Sequence, residues 1–369
     1  MNTPLQSRRH FIKATALATA SAPWIDRLTP SASAADSDRK LGFALCGLGS
    51  LSTNQIAPAL QLTKKCRLAG IITGHPAKAE KWKAQYNIPD KNIYNYDTMG
   101  QMGDNPDIDV VYVVTPNALH AEHTIKAAKA GKHVLCEKPM EVSVEKCQQM
   151  IDACKAANRL LAIGYRSRFD PHTIECIRLA REKVFGDLKI IQAGFGFRIG
   201  DPTQWRLKRA LAGGGALMDV GIYALQAARY LSGEEPVLVS AIETKTDPVK
   251  FKEVDESIVW QLKFPSGIIA NCSTTYIVSG IDYYTAFAEK GAFGLSPAYN
   301  YVGNHGMRSD GREINFPQVD QFAAEMDDFA GCIQENKPSM VSGQEGLRDI
   351  RITTAIYESI QTGAAVKLG

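Results

Sequence analysis

The chain of 369 residues is long enough for two domains with sizeable cores, and its apolar and charged fractions, 45% and 22%, are those of an ordinary globular protein. A net charge of +3 is too small to argue for a nucleic-acid or membrane-surface partner, and no apolar run approaches the length that spans a bilayer. The eight cysteines show no C-x-x-C pair and no metal-like spacing with His, so no metal is expected, and Cys46, Cys136, Cys154 and Cys272 read as small buried hydrophobes.

The first residues read as an address. Ser7-Arg8-Arg9-His10-Phe11-Ile12-Lys13 is a twin-arginine pattern, a weakly apolar stretch runs from Ala14 to Ala22, and Ala32-Ser33-Ala34 supplies small residues for cleavage. Residues 1–34 are therefore expected to be a twin-arginine signal peptide that sends a folded protein to the periplasm. They are set apart from the fold.

Leu41 to Cys46 reads as a buried parallel strand, followed by Gly47-Leu48-Gly49-Ser50 and a helical stretch from Ser52 to Leu62. Strands are expected at Arg67–Thr73, Asp109–Val114, His133–Cys136 and Leu160–Ile163. Helices are expected at Pro76–Tyr86, Leu119–Ala130 and Val144–Ala157. This alternation over residues 35–164 predicts an α/β Rossmann domain with a doubly wound parallel sheet. Past Gly164 the pattern changes. A helix at Pro171–Val184 precedes β-rich runs at Leu188–Arg198, Val237–Lys245, Ser257–Phe264, Ile268–Val278 and Tyr283–Glu289. Helices are expected at Leu217–Leu231 and Gly346–Thr362. Residues 165–369 thus read as an α+β domain with a largely antiparallel open sheet, its last helix available to pack back on the first domain.

Gly47-x-Gly49-x-x-Ser52 is a variant of the dinucleotide fingerprint, with Ser in place of the third Gly. Gly47 permits the tight turn, and Gly49 lets backbone approach a pyrophosphate at the helix start. NAD binders usually carry an acid at the end of the second strand. Here that end reads Ile72-Thr73-Gly74-His75, with Lys78 nearby, which suits the 2′-phosphate of NADP(H). Thr115-Pro116-Asn117 and Glu137-Lys138-Pro139 both fall at carboxyl ends of expected strands, the edge where ligands bind in such sheets. Asp219 and Tyr223, four apart on an expected helix, share one face. On pattern alone, Tyr223 is equally an amphipathic core residue.

Several motifs carry a family resemblance. Gly47-Leu48-Gly49, Thr115-Pro116-Asn117-x-x-His120, Cys136-Glu137-Lys138-Pro139 and Gly164-Tyr165-Arg166 resemble the glucose–fructose oxidoreductase / inositol dehydrogenase family. Gln204-Trp205-Arg206-Leu207, Leu211-Ala212-Gly213-Gly214-Gly215, Met218 to Tyr223 and Arg229 to Pro236 narrow the likeness to the glucose–fructose and aldose–aldose oxidoreductases. The resemblance covers nearly the whole mature chain. It implies a bound NADP(H) that does not dissociate between half-reactions, one sugar oxidised at C1 to a lactone and a second reduced to an alditol. It implies Lys138, Asp219 and Tyr223 as catalytic residues, with Lys138 drawing the Tyr223 phenol toward phenolate. The expected cofactor contacts are Gly47, Leu48, Gly49, Ser50, Thr73, Gly74, Lys78, Thr115, Pro116, Asn117, His120, Glu137, Lys138, Arg166, Trp205 and Arg206. The expected substrate contacts are Lys138, Tyr165, Arg206, Asp219 and Tyr223. Expected partners are monosaccharides or small oligosaccharides, with no nucleic acid and no membrane. A homo-oligomer, dimer or tetramer, is expected through the open face of the antiparallel sheet.

Two departures stand out. Ala35 to Lys40 is much shorter than the arm that covers the cofactor in glucose–fructose oxidoreductase. The stretch from Tyr283 to Met307 also differs from the family pattern and is assigned to the sugar pocket or a subunit interface. Three rival readings share the fold: a sugar or anhydrosugar reductase with exchangeable NADP(H), an exported nicotinamide-dependent glycosidase, and a non-catalytic sugar sensor.

Overall fold

The computed structural model describes residues 39–369; the twin-arginine segment and Ala35 to Asp38 lie outside the described residues. Strand β1 (Leu41–Cys46) is buried at every position, as a strand covered on both faces must be. With β2 (Cys66–Ile72), β3 (Ile93–Tyr94), β4 (Val110–Val113), β5 (His133–Glu137) and β6 (Leu161–Gly164) it forms a six-stranded sheet in the order β3-β2-β1-β4-β5-β6. Every pair is parallel. The order reverses between β1 and β4, which opens a crevice at the carboxyl ends of the strands.

The helix expected from Ser52 begins as a π turn, Ser52–Ile56, and continues as α1 (Ala57–Leu62). Then come α2 (Pro76–Tyr86), α3 (His120–Lys129) and α4 (Val144–Ala156). Pro76 sits in the first turn of α2, where a missing N–H costs nothing. Ser143 caps α4 by accepting from the Lys146 N–H at 3.2 Å.

After α5 (Pro171–Arg181) the chain builds a nine-stranded sheet. Its strands are β7 (Leu188–Gly196), β8 (Leu238–Thr244), β9 (Ser257–Lys263), β10 (Ile269–Thr275), β11 (Ile281–Ala288), β12 (Gly291–Leu295), β13 (Gly306–Arg308), β14 (Glu313–Ile314) and β15 (Val366–Lys367). All its pairs are antiparallel except β7 with β10, which is parallel. A short helix α6 (Arg209–Ala212), a π turn (Leu217–Gly221) and α7 (Ile222–Ser232) lie between β7 and β8, and α7 packs on β7 and β10. In β9, Ile258, Trp260 and Leu262 are buried while Val259, Gln261 and Lys263 alternate outward. The outer face carries Ile190, Ile242, Val259, Ile269 and Phe287, all exposed.

Besides the four-residue α6, one long helix was not expected: α8 (Gln321–Gln334), capped by Asp320, whose side chain accepts from the Ala323 N–H. It follows the second sheet in the chain, yet it packs against α1 and β2 of the first. Its apolar side, Phe322, Met326 and Phe329, recurs at helical spacing and is buried there. The last helix, α9 (Gly343–Thr362), starts three residues earlier than expected and lies against α4 and β8. All eight cysteines are buried and unpaired.

Candidate active site

At the end of β1 the backbone of Gly47 takes φ +98°, and a Cβ there would lie 2.8 Å from the Val114 carbonyl oxygen, so only glycine closes this turn. A Cβ on Gly49 would meet nothing within 4 Å, which leaves that backbone open to approach. Ser52, at the position of the usual third glycine, donates its hydroxyl back to the Gly47 carbonyl at 2.5 Å and so braces the loop. Lys78 Nζ donates to the Leu48 carbonyl at 3.1 Å, which brings its charge over the same turn. Thr73 is buried, its hydroxyl accepting from the His75 N–H at 3.2 Å, and Gly74 backs onto the Tyr96 ring. Open backbone, a nearby ammonium and no carboxylate at the end of β2 fit a dinucleotide carrying a 2′-phosphate.

The two loops after β4 and β5 are tied together by His120. Its Nε2 lies 2.8 Å from the Thr115 carbonyl oxygen and its Nδ1 2.9 Å from the Pro139 carbonyl oxygen. The ring is fully buried, so His120 is a strut that sets both loops rather than a ligand contact. Thr115 Oγ1 pairs with His123 Nδ1 at 3.0 Å, and Asn117 Nδ2 donates to the Ala212 carbonyl at 2.9 Å, linking the first sheet's loop to α6. Pro116 leads into the 3-10 turn of Asn117–Leu119.

The chemistry gathers in a cleft of about 570 Å³ lined by Ser50, Glu137, Lys138, Arg166, Arg206, Asp219 and Tyr223 among others. Lys138 Nζ donates to the Asp219 carbonyl at 2.6 Å and lies 3.2 Å from Asp219 Oδ1. Asp219 Oδ2 accepts from Arg206 Nε at 3.0 Å and from the Tyr276 hydroxyl at 2.9 Å. Burial alone would raise the Asp219 carboxyl; Lys138, Arg206 and the Tyr276 bond outweigh it and hold the group down at about 2. Burial pulls Lys138 down, but Tyr223, Asp219 and Glu137 together leave it above the ordinary lysine value. Lys138 Nζ and Arg166 Cζ each stand 5.0 Å from the centroid of the Tyr223 ring. Asp219 and Tyr223 line one cleft as expected, although the turn between them is π-wound, with the Ile222 N–H donating to the Leu217 carbonyl.

Arg166 is buried, its guanidinium donating to the Tyr299 carbonyl and to Gln321 Oε1, both at 2.6 Å. Trp205 is half-buried beneath Arg206, whose guanidinium carbon lies 4.7 Å from its ring centre. Tyr165 departs from expectation. It is 2% exposed, points away from the cleft, and sets its hydroxyl beside Asp349 and Tyr230, which makes it a core residue. Among the cleft residues the sequence did not single out are Tyr299, Tyr301 and Phe322, and Tyr276, buried behind the cleft, was missed as the partner of Asp219. Tyr299 and Tyr301 place part of the Tyr283–Met307 stretch in the cleft wall. Phe322 arrives on the unforeseen α8, for which Asp320 and the spacing of Phe322, Met326 and Phe329 were the available signals.

A 3-2-1-4-5-6 parallel sheet, a glycine turn at its switch point and a Lys–Asp–Tyr cluster beside it define an NAD(P)-binding oxidoreductase. Residues 41–165 match the oxidoreductase family with NAD-binding Rossmann fold, 174–294 the GFO/IDH/MocA C-terminal domain, and 299–368 the oxidoreductase family's C-terminal alpha/beta domain. The chain belongs to the GFO/IDH/MocA oxidoreductase family. It is 30% identical over 340 residues to the NADP(+)-dependent D-xylose 1-dehydrogenase of Haloarcula marismortui, covering 90% of this chain and 94% of that one. The aldose–aldose oxidoreductase of Caulobacter crescentus, solved with glycerol, superposes with a TM-score of 0.86 at 46% identity, covering 89% of this chain and 100% of that one. Levoglucosan dehydrogenase, solved with NADH and levoglucosan, shares the fold at a TM-score of 0.77 and 22% identity, over 89% of this chain and 99% of that one. The protein is thus an enzyme of a family of NAD(P)-dependent sugar oxidoreductases.

Proposed function

We propose that this is a periplasmic, twin-arginine-exported sugar oxidoreductase that retains NADP(H), oxidises an aldose at C1 to a lactone and reduces a second sugar to an alditol. The observation that carries the reading is the cleft in which Lys138, Asp219 and Tyr223 converge beside the glycine turn. The 46% identity to an aldose–aldose oxidoreductase supports the substrate class. The acid-free end of β2 with Lys78 supports NADP over NAD. Retention suits an exported chain, because free nicotinamide cofactor is scarce outside the cytoplasm.

The Gly47–Gly49 turn with Lys78 would hold the dinucleotide, whose nicotinamide would supply and accept the hydride. Tyr223 gives up or takes the proton of the reacting hydroxyl or carbonyl. Lys138 holds positive charge at the same point, and Asp219, ionised throughout the working range, fixes Lys138 and Arg206 around it. Arg206, at the cleft wall, is placed to bind sugar hydroxyls. The exposed row of Ile190, Ile242, Val259, Ile269 and Phe287 on the outer sheet face supports assembly into a homo-oligomer.

One experiment tests the whole reading. The protein is recovered from the periplasmic fraction, and the absorbance of its bound nucleotide is followed as sugars are added singly. We expect copurified NADP(H), reduction by an aldose, and bleaching by a second sugar without added cofactor. Recovery in the cytoplasm overturns the export proposal. Turnover that requires added NADP(H) favours a dehydrogenase with exchangeable cofactor, the activity its D-xylose relatives are named for.

A further inference from the structure

Under the cleft, two buried carboxyl groups meet one phenol. Glu137 ends β5 and lines the cleft floor, while Glu325 stands on α8 at 1% exposure. Tyr112, on β4, lies between them, its hydroxyl 2.8 Å from Glu137 Oε1 and 3.0 Å from Glu325 Oε1. A phenol has one hydrogen to donate. It satisfies one carboxylate; the second contact is a hydrogen bond only when that carboxyl carries its own proton and donates to the phenolic oxygen. Two ionised carboxylates would set two acceptors on one donor and two like charges in a dry interior.

The surroundings decide where the proton sits. Glu137 Oε2 accepts from the Lys138 N–H at 3.1 Å, and the Lys138 and Arg166 charges both favour its ionised form. Glu325 Oε2 has no partner among the described residues, tolerable for the carbonyl oxygen of an acid and costly for half a carboxylate. Of the charged groups acting most strongly on Glu325, Glu137 and Asp328 oppose ionisation and Arg166 favours it. Burial pushes both carboxyls up, Glu325 well above the usual range. Room for the cluster comes from Gly164: a Cβ there would sit 3.0 Å from Glu137 Oε1 and 3.2 Å from the Tyr112 hydroxyl.

We propose that Glu325 is a positioning residue that stays protonated and, through Tyr112, holds Glu137 ionised on the cleft floor beside Lys138. Its bearing on turnover rests on reading the cleft as the nicotinamide and sugar site; the proton assignment does not. Ionising Glu325 at alkaline pH adds a second charge next to Glu137 and disturbs Lys138.

Infrared spectra of the nucleotide-free protein, with carbon-13 in its glutamates, report the proton directly. The expected result is a protonated-carboxyl band in the wild type at neutral pH that disappears in Glu325→Gln. In turnover assays, each normalised to its own neutral rate, the wild type loses activity on the alkaline side and Glu325→Gln moves that loss to higher pH. Absence of the band in the wild type, or coincident alkaline limbs, overturns the proposal. A band with this behaviour in a protein that turns over no sugar supports the proton assignment and overturns the functional reading. Should Glu325→Gln not fold, Tyr112→Phe removes the acceptor of the carboxyl proton. The band must then shift, and an unshifted band overturns the proposal.

Discussion

Asp219, half-buried at the cleft, and Asp349, fully buried, are both aspartates bonded to arginine, and they do opposite things. Around Asp349 acids outnumber cations: Arg229 serves three acids, and Arg348 pairs with two of them, Glu345 and Glu235. Arg229 donates to Asp349 Oδ1 at 2.6 Å, to Glu235 Oε1 at 2.6 Å and to Glu345 Oε2 at 3.1 Å. Gln226 Nε2 fills Asp349 Oδ2 at 2.9 Å. Around Asp219 the ratio is reversed, with Lys138 and Arg206 sharing one acid. Burial leaves Asp349 above its ordinary value despite Arg229, whereas Asp219 is held at about 2. The first cluster is closed on itself and clamps α7 to α9. The second leaves surplus positive charge facing a cavity, where a developing alkoxide would be stabilised. A buried ion network thus marks function when its charges are left unbalanced toward open space, and structure when they are used up.

The largest effect that sharpens this contrast belongs to the open cluster. Tyr223→Phe keeps the ring that Lys138 and Arg166 stand over and removes only the transferable proton. Loss of a general acid–base costs ~10²–10⁴ in rate. Stopped-flow reduction of the bound cofactor by an aldose should slow by that factor, while the amount of copurified nucleotide stays the same. Reduction at the wild-type rate would make Tyr223 a packing residue and leave the proton to Lys138 or water.

The closed cluster should answer in stability instead. Arg229→Met leaves buried Asp349 without its cation and Glu345 and Glu235 with Arg348 alone, and breaking a buried pair on one side costs ~3–5 kcal/mol. The sign with pH follows from direction: Asp349, raised above its unfolded value, stabilises the fold below the unfolded value and loses that contribution as pH rises through the folded one. The variant's melting temperature should therefore fall, and fall further as pH is raised from acid toward neutral. The sugar-dependent rate per folded molecule should stay at the wild-type value. A drop in that rate at full folded content would show that the clamp reaches the site.

Much of this was legible in the sequence because its signals are local. The all-buried β1, the Gly47 turn and the parallel strands follow from short apolar runs punctuated by glycine. What escaped depends on which way a side chain faces. His120 and Tyr165 sit in motifs beside true cleft residues, yet one is a strut between loops and the other points into the core. Glu325, Phe322 and Tyr276 reach the site from elements distant in sequence, and helix α8 crosses back to a sheet completed far earlier in the chain. Asp219 and Tyr223 were placed on one face by helical spacing, but that Lys138 stands over both, 81 residues before Asp219, came only from the family resemblance.

Tyr276 offers the smallest and most discriminating change, because it touches Asp219 and lies outside the expected catalytic set. Tyr276→Phe preserves the edge-to-face contact of its ring with Phe197 and its stack with Phe251, and deletes the 2.9 Å bond to Asp219 Oδ2. Lys138 and Arg206 remain, so the carboxylate stays charged at neutral pH. A single hydrogen bond to a charged group is worth ~1.5–3 kcal/mol, of which only the part spent on orienting Asp219 reaches the rate, so a loss of about tenfold or less is expected. The bond also favours the ionised carboxyl, and its removal raises Asp219 from about 2. A group held below its unfolded value loses its contribution as pH falls, so the acid limb of the pH–rate profile should move upward in the variant. A residue that merely fills space would lower activity evenly across pH, and an unmoved acid limb would reduce Tyr276 to that role.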